Sequence, residues 1–186
     1  ILTSPNPDMA VSTQWAYDIM QEFVYHFQDF CRERTSKRQE KDIATLTENP
    51  TAWTLPEVSR ILTGLIAKRA TSSAQIYQLL GYFAELEQAR LECLLCDFSS
   101  SVAMLPLSRV LDRSELFTQV TSCHISVLWH TGVSLLMMRR YTDVVEVLTE
   151  LVLHINLILG AGSEKRGANH STMQNSMQKS MSLLAM

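Results

Sequence analysis

Apolar residues recur along most of the chain at spacings of three and four, the period of an amphipathic α-helix. From Trp15 the stripe continues through Ile19, Phe23, Phe27 and Phe30, with Asp18, Glu22 and Gln28 off it. It predicts a helix over 14–34 with an aromatic core face. A short helix is expected to follow and to stop at Asn49-Pro50, because the residue before proline disfavours helical torsions. Thr54, Leu55, Pro56 and Glu57 read as a capping box with proline in the first turn. They open a helix carrying Leu55, Val58, Leu62, Leu65 and Ile66, and 68–74 reads as a loop. Alternating period-two runs, the mark of a half-buried strand, are nearly missing. The pattern therefore predicts an all-α chain.

The stretch "LLMMRRYTDVVEVLTELVLHI", Leu135 to Ile155, is strongly apolar yet holds two central arginines. A membrane span needs about 20 consecutive apolar residues, and the charges on both sides of this break make insertion costly. Each half has helical spacing on its own: Leu128, Thr131, Leu135 and Met138, then Val144, Leu148, Leu151 and Ile155. Arg139 and Arg140 suit the negative pole of one helix, and Asp143 the positive pole of the next. Two helices joined by a tight charged turn are expected here.

The same layout occurs 43 residues earlier, where Phe98 falls on Tyr141, Val102 on Val145 and Leu105 on Leu148. Nine residues before each aromatic stands a small residue, Ala89 and Gly132. A small residue where helices cross, then an aromatic at the turn, is the logic of tetratricopeptide-like repeats. The hairpins are expected over 74–96 with 99–112, and over 115–138 with 142–159. The predicted fold is a right-handed stack of helical hairpins. The organisation expected is an extended lead-in over 1–13, an N-terminal helical segment over 14–70 and repeats over 74–160. A flexible linker over 161–172 and the start of a further helix over 173–186 complete it. Gly160 is expected to cap the helix before the linker.

Composition changes this picture little. The 186 residues are 46% hydrophobic and 19% charged, with net charge -3, which argues against a dedicated polyanion binder. Residues 32–42 mix basic and acidic side chains, so Arg34, Lys37 and Arg38 promise at most a salt-sensitive contact to RNA. The four cysteines, Cys31, Cys93, Cys96 and Cys123, read as buried free thiols in a reducing compartment, which points to the cytosol.

Candidate chemistry is weak throughout. Cys93 and Cys96 form a C-x-x-C without two further ligands at zinc-knuckle spacing. Cys123 and His124 are adjacent and point about 100° apart on a helix, and His130 lies on another face. Residues 160–167 lack the glycine that must precede the lysine of a phosphate loop, since Glu164 precedes Lys165. Glu85, Glu87, Glu146 and Glu150 read as solvated faces. No catalytic, cofactor-binding or metal-ligating residue is expected, nor a small-molecule substrate.

Further information lies in the order of particular residues. Gln14, Trp15, Asp18, Glu22, Phe23, Tyr25, Phe27, Gln28 and Phe30 are followed by Asn49, Pro50 and Trp53. Then come Tyr77, Leu80, Gly81, Tyr82 and Phe83, and Met137 to Tyr141 with Gly132 and Asp143. In this order they resemble the L-subunit family of eukaryotic translation initiation factor 3. The resemblance covers most of 14–160 and implies helical repeats preceding a winged-helix PCI module, which would fall beyond Met186. It also implies a non-catalytic cytoplasmic scaffold among other initiation factor subunits, associated with the small ribosomal subunit and its peripheral rRNA. The loop at Ala70 to Ala74 is shorter than that family's pattern, and 160–172 matches it poorly. The competing expectations are a PCI-type scaffold of the proteasome lid or signalosome, and a small helical enzyme.

Overall fold

The computed structural model describes residues 10–35 and 53–161, with Gln178 and Ser182. Its helices are α1 (Thr13–Thr35), α2 (Leu55–Thr71), α3 (Gln75–Leu94), α4 (Phe98–Met104), α5 (Leu107–Val110), α6 (Thr121–Met137) and α7 (Tyr141–Ala161), with a 3-10 turn at Leu116–Gln119 before α6. No strand occurs among the described residues, so the chain is all-α. No described helix is long and apolar enough to cross a membrane. The chain divides into two compact units, 1–88 and 89–186, and α3 runs through the boundary. The short helix expected before Asn49, the basic positions Lys37 and Arg38, and the glycine-rich stretch from 162 lie outside the described residues.

In the first unit the core face of α1 shares only Phe27 with the aromatic stripe, while Phe23 and Phe30 are partly buried. Ala16, Tyr17, Met20, Val24 and Phe27 are buried, whereas Trp15 is 54% exposed and Ile19 37%. Both rows have helical period and sit about one residue apart around the helix, so periodicity alone cannot choose between them. The choice is made by Phe83, whose ring meets Tyr17 edge-on at 5.5 Å and Tyr82 at 5.2 Å. Trp53 precedes α2 with a left-handed φ of 53°, and its ring lies 5.4 Å from that of Phe23.

The expected capping box does not form. Thr54 is the N-cap of α2 but makes no side-chain capping bond, and Glu57 binds Arg60 instead, one turn ahead. That pairing competes directly for the Glu57 carboxylate. Helix α2 also runs four residues further than expected into 68–74, ending at Thr71. The Gln78 amide extends it, donating to the carbonyls of Arg69 at 2.8 Å and Ser72 at 2.6 Å. These acceptors would otherwise be orphaned at the helix end. Gly81 lets α2 and α3 approach: a Cβ there would lie 2.5 Å from Arg69 Cβ and 2.7 Å from the Leu65 carbonyl oxygen. Arg69 is held in turn by Glu85, at 3.0 Å.

In the second unit α6 is central, packed by α7, α4, α5 and the 3-10 turn. The single helix expected over 99–112 is two short ones, because Pro106 cannot donate to the ladder and becomes the N-cap of α5. Glu87, read as solvated, is 2% exposed; Glu85 and Glu150 are half-buried in ion pairs with Arg69 and Arg113. Only Glu146 of the four is exposed.

Candidate functional site

The second hairpin, α6 and α7, is built on its turn. The Arg140 N–H donates to the Leu135 carbonyl at 3.0 Å, and the Arg139 N–H to Leu136 at 2.9 Å. This pair of bonds is a Schellman motif, with Arg139 as its left-handed residue at φ 61°. After α3 the Asp97 N–H donates to Glu92 at 2.9 Å and the Cys96 N–H to Cys93 at 3.1 Å, with Cys96 at φ 64°. All four bonded positions correspond at the 43-residue offset. The repeat read from the sequence is thus a repeat of backbone geometry.

The two hairpins differ in how the second helix begins. Asp97 caps α4 by accepting from the Ser100 N–H at 3.1 Å and from the Ser100 and Ser99 hydroxyls. Those bonds, the backbone one foremost, hold its carboxyl below the usual range. In the equivalent place Arg140 Nε donates to Asp143 at 2.7 Å, so a charge pair replaces the cap. Neither turn has the glycine that a left-handed residue favours. Arg139→Gly is therefore expected to stabilise the chain by about 1 kcal/mol, read as a higher urea midpoint. An unchanged or lower midpoint would show that the turn carries no such strain.

The hairpin closes on Gly132. A Cβ at this position would lie 2.7 Å from Leu148 Cδ2 and 3.2 Å from its Cγ. The equivalent pair, Ala89 and Leu105, is likewise buried.

The candidate chemical groups lie mostly inside this packing. Cys93 is buried and its thiol donates to the His130 carbonyl at 3.5 Å, a carbonyl that also accepts from the Ser134 hydroxyl at 2.9 Å. Burial pushes the Cys93 thiol up, away from the thiolate needed for nucleophilic work. Cys96 is exposed on the turn and Cys31 is exposed on α1, so only two of the four thiols, Cys93 and Cys123, are buried. Turn geometry at Cys96 overrides its apolar sequence neighbours. Arg34 is exposed, its guanidinium 5.7 Å from the Phe30 ring centroid.

His124 meets His154, with ring centroids 4.2 Å apart, and Phe117 at 5.6 Å. His154 was not singled out by sequence: it lies on another helix, thirty positions on, and no local pattern links the two. His124 Nδ1 and His154 Nε2 are both buried without a hydrogen-bond partner. Burial, then the neighbouring His154, brings His124 down to about 4. Burial and the nearby Arg90 bring His130 to about 4 as well, although its Nδ1 lies 2.7 Å from the Ser126 carbonyl. These imidazoles are neutral packing groups at physiological pH. Among the described residues no cluster of three histidine, cysteine or carboxylate side chains has metal-binding geometry.

Among charged and polar residues, the hairpin shows several large apolar side chains to solvent. Met137, Met138, Tyr141, Val145, Leu153 and Leu157 are all exposed. Stacked helical hairpins of this kind, with recurring turns and unspent apolar surface, define a helical-repeat protein. The chain belongs to the family described as RNA polymerase I-associated factor PAF67, whose model matches residues 1–186. It is similar to proteins named eukaryotic translation initiation factor 3 subunit L. That of Neosartorya fischeri is 30% identical over 183 residues, covering 84% of this chain and 38% of the relative. Those of Danio rerio and Bos taurus are each 30% identical over 178 residues, covering 83% of this chain and 31% of the relative. The chain thus spans about a third of the length of these curated relatives.

Proposed function

We propose that the chain is a helical scaffold segment of a translation initiation factor 3 subunit, working by contact rather than catalysis. The observation that carries this reading is the similarity to subunit L proteins along 84% of the chain. The structure supports it in two ways. Of the groups a nucleophilic site would use, Cys123 and His124 are buried and His130 is partly buried, with both histidines neutral. The exposed face of α6 and α7 is rich in methionine, leucine and tyrosine, which suits helix-on-helix association. In this reading the protein works in the cytoplasm, holding other initiation factor subunits together on the small ribosomal subunit. Near the end of α1 Arg32 and Arg34 are exposed, and in this reading they supply a peripheral, salt-sensitive contact to rRNA. Affinity recovery of the tagged full-length protein at low and high salt tests the proposal. Initiation factor subunits retained at both salts support it; proteasome-lid or signalosome subunits in their place overturn it.

A further inference from the structure

Helix α7 exposes large apolar residues on the side away from the hairpin, interleaved there with the exposed polar residues Thr142, Glu146 and Asn156. Val144, Val147, Leu148, Leu151 and Ile155 are buried against the hairpin, yet Tyr141 is 60% exposed, Val145 55%, Leu153 51% and Leu157 72%. With Thr149 these outer residues follow one another in steps of four, so they form a continuous ribbon along the helix. A row of exposed apolar side chains of this length marks a contact surface.

The repeat indicates what covers it. Val102 stands 43 residues before Val145 and is 8% exposed. There α4, the second helix of its hairpin, is packed by α6, the next long helix along the chain. Their contact includes a hydrogen bond from the Ser134 hydroxyl to the Ser101 hydroxyl, at 3.3 Å. By the same rule α7 should be packed by the next helical segment after it.

We propose that the outer face of α7 is the docking surface for the chain's own segment 173–186. The sequence of that segment places Met173, Met177, Met181 and Leu184 at helical spacing, with Gln174, Gln178 and Ser182 offset from them. Gln178 and Ser182 are helical and exposed, and the Ser182 hydroxyl donates to the Gln178 carbonyl at 2.9 Å. The sequence pattern puts the methionine row on the side of the segment opposite Gln178 and Ser182. Unbranched methionines adapt readily to a ribbon of tyrosine, valine and leucine. The intervening residues 162–172 can span roughly 36 Å when extended, and α7 is about 31 Å long, so the segment can return along the whole ribbon.

Hydrogen exchange followed by mass spectrometry on the intact 186-residue chain tests this. Amides in 173–186 are expected to exchange at least about tenfold more slowly than an unstructured chain, equally at low and high protein concentration. Val145→Glu with Leu153→Glu changes only outward-facing groups. It should restore fast exchange in 173–186 while α3 keeps its protection, which confirms that the core is still folded. Met177→Glu with Met181→Glu should have the same effect from the other side. Unstructured-chain exchange in the unmodified protein would overturn the proposal. So would protection that disappears on dilution, which assigns the ribbon to a second copy, or that arises only when initiation factor subunits are added.

Discussion

Lowering the pH from about 7 to about 4 is expected to remove about 3 kcal/mol of folding stability for each of His124 and His130. Both have folded-state values near 4 against an ordinary 6.5, the first cause in each case being burial. The unfolded chain therefore takes up protons first as the pH falls. Stability is complete above about 6.5, declines down to about 4 and is flat below, at roughly 1.4 kcal/mol per pH unit for each histidine. His154 is lowered too, chiefly by burial, and acts in the same direction. It faces His124 at 4.2 Å, so a proton on one ring opposes a proton on the other and the two titrate as a coupled pair. Glu150, bound to Arg113, softens the effect on both rings without cancelling it. Urea midpoints measured across this range should fall steeply. The slope should be shallower in His124→Leu, which cannot take up the proton. A midpoint that stays level between about pH 7 and about pH 5 would show that these rings are not buried as neutral groups.

Gly132→Leu is expected to cost about 3 kcal/mol, at the upper end of overpacking. The first carbon of any side chain there already lies 2.7 Å from Leu148 Cδ2, and Leu148 is completely buried, so it has nowhere to move. The remaining leucine atoms must push α6 and α7 apart. Thermal unfolding would show this as a large fall in Tm. A Tm unchanged by the substitution would mean that the hairpin does not close on Gly132.

The hairpin was legible because its determinants are local. The small residue, the aromatic nine positions on and the charged turn all fall within one stretch, and the offset to Ala89 and Phe98 gave an internal check. What the sequence left hidden depended on neighbours. The apolar bulk of Trp15 and Ile19 drew the stripe off the core face that Phe27 shares; Ala16 and Tyr17 look less like core until Phe83 is placed beside them. Glu87 reads as surface by type, yet it is buried in α3. The pair His124 and His154 could be found only by knowing how α6 and α7 meet.

Other differences had local signals that were outweighed. Pro106 marked the break between α4 and α5. Gly160 suggested a helix end, but α7 includes it and reaches Ala161, since glycine weakens a helix by only about 1 kcal/mol and does not have to stop it. The sequence spacing placed Cys123 and His124 on different faces of a helix, and the structure turns that histidine toward His154.

The scaffold role is tested most directly by tagging the full-length protein and recovering it from cell extract at low and at high salt. Apolar helix-on-helix contacts withstand salt, whereas contacts to phosphate weaken steeply with it. Initiation factor 3 subunits are expected to remain bound at both salts, with small ribosomal subunits present at low salt and lost at high salt. Recovery of a lone monomer, or of subunits belonging to a different helical assembly, would contradict the account.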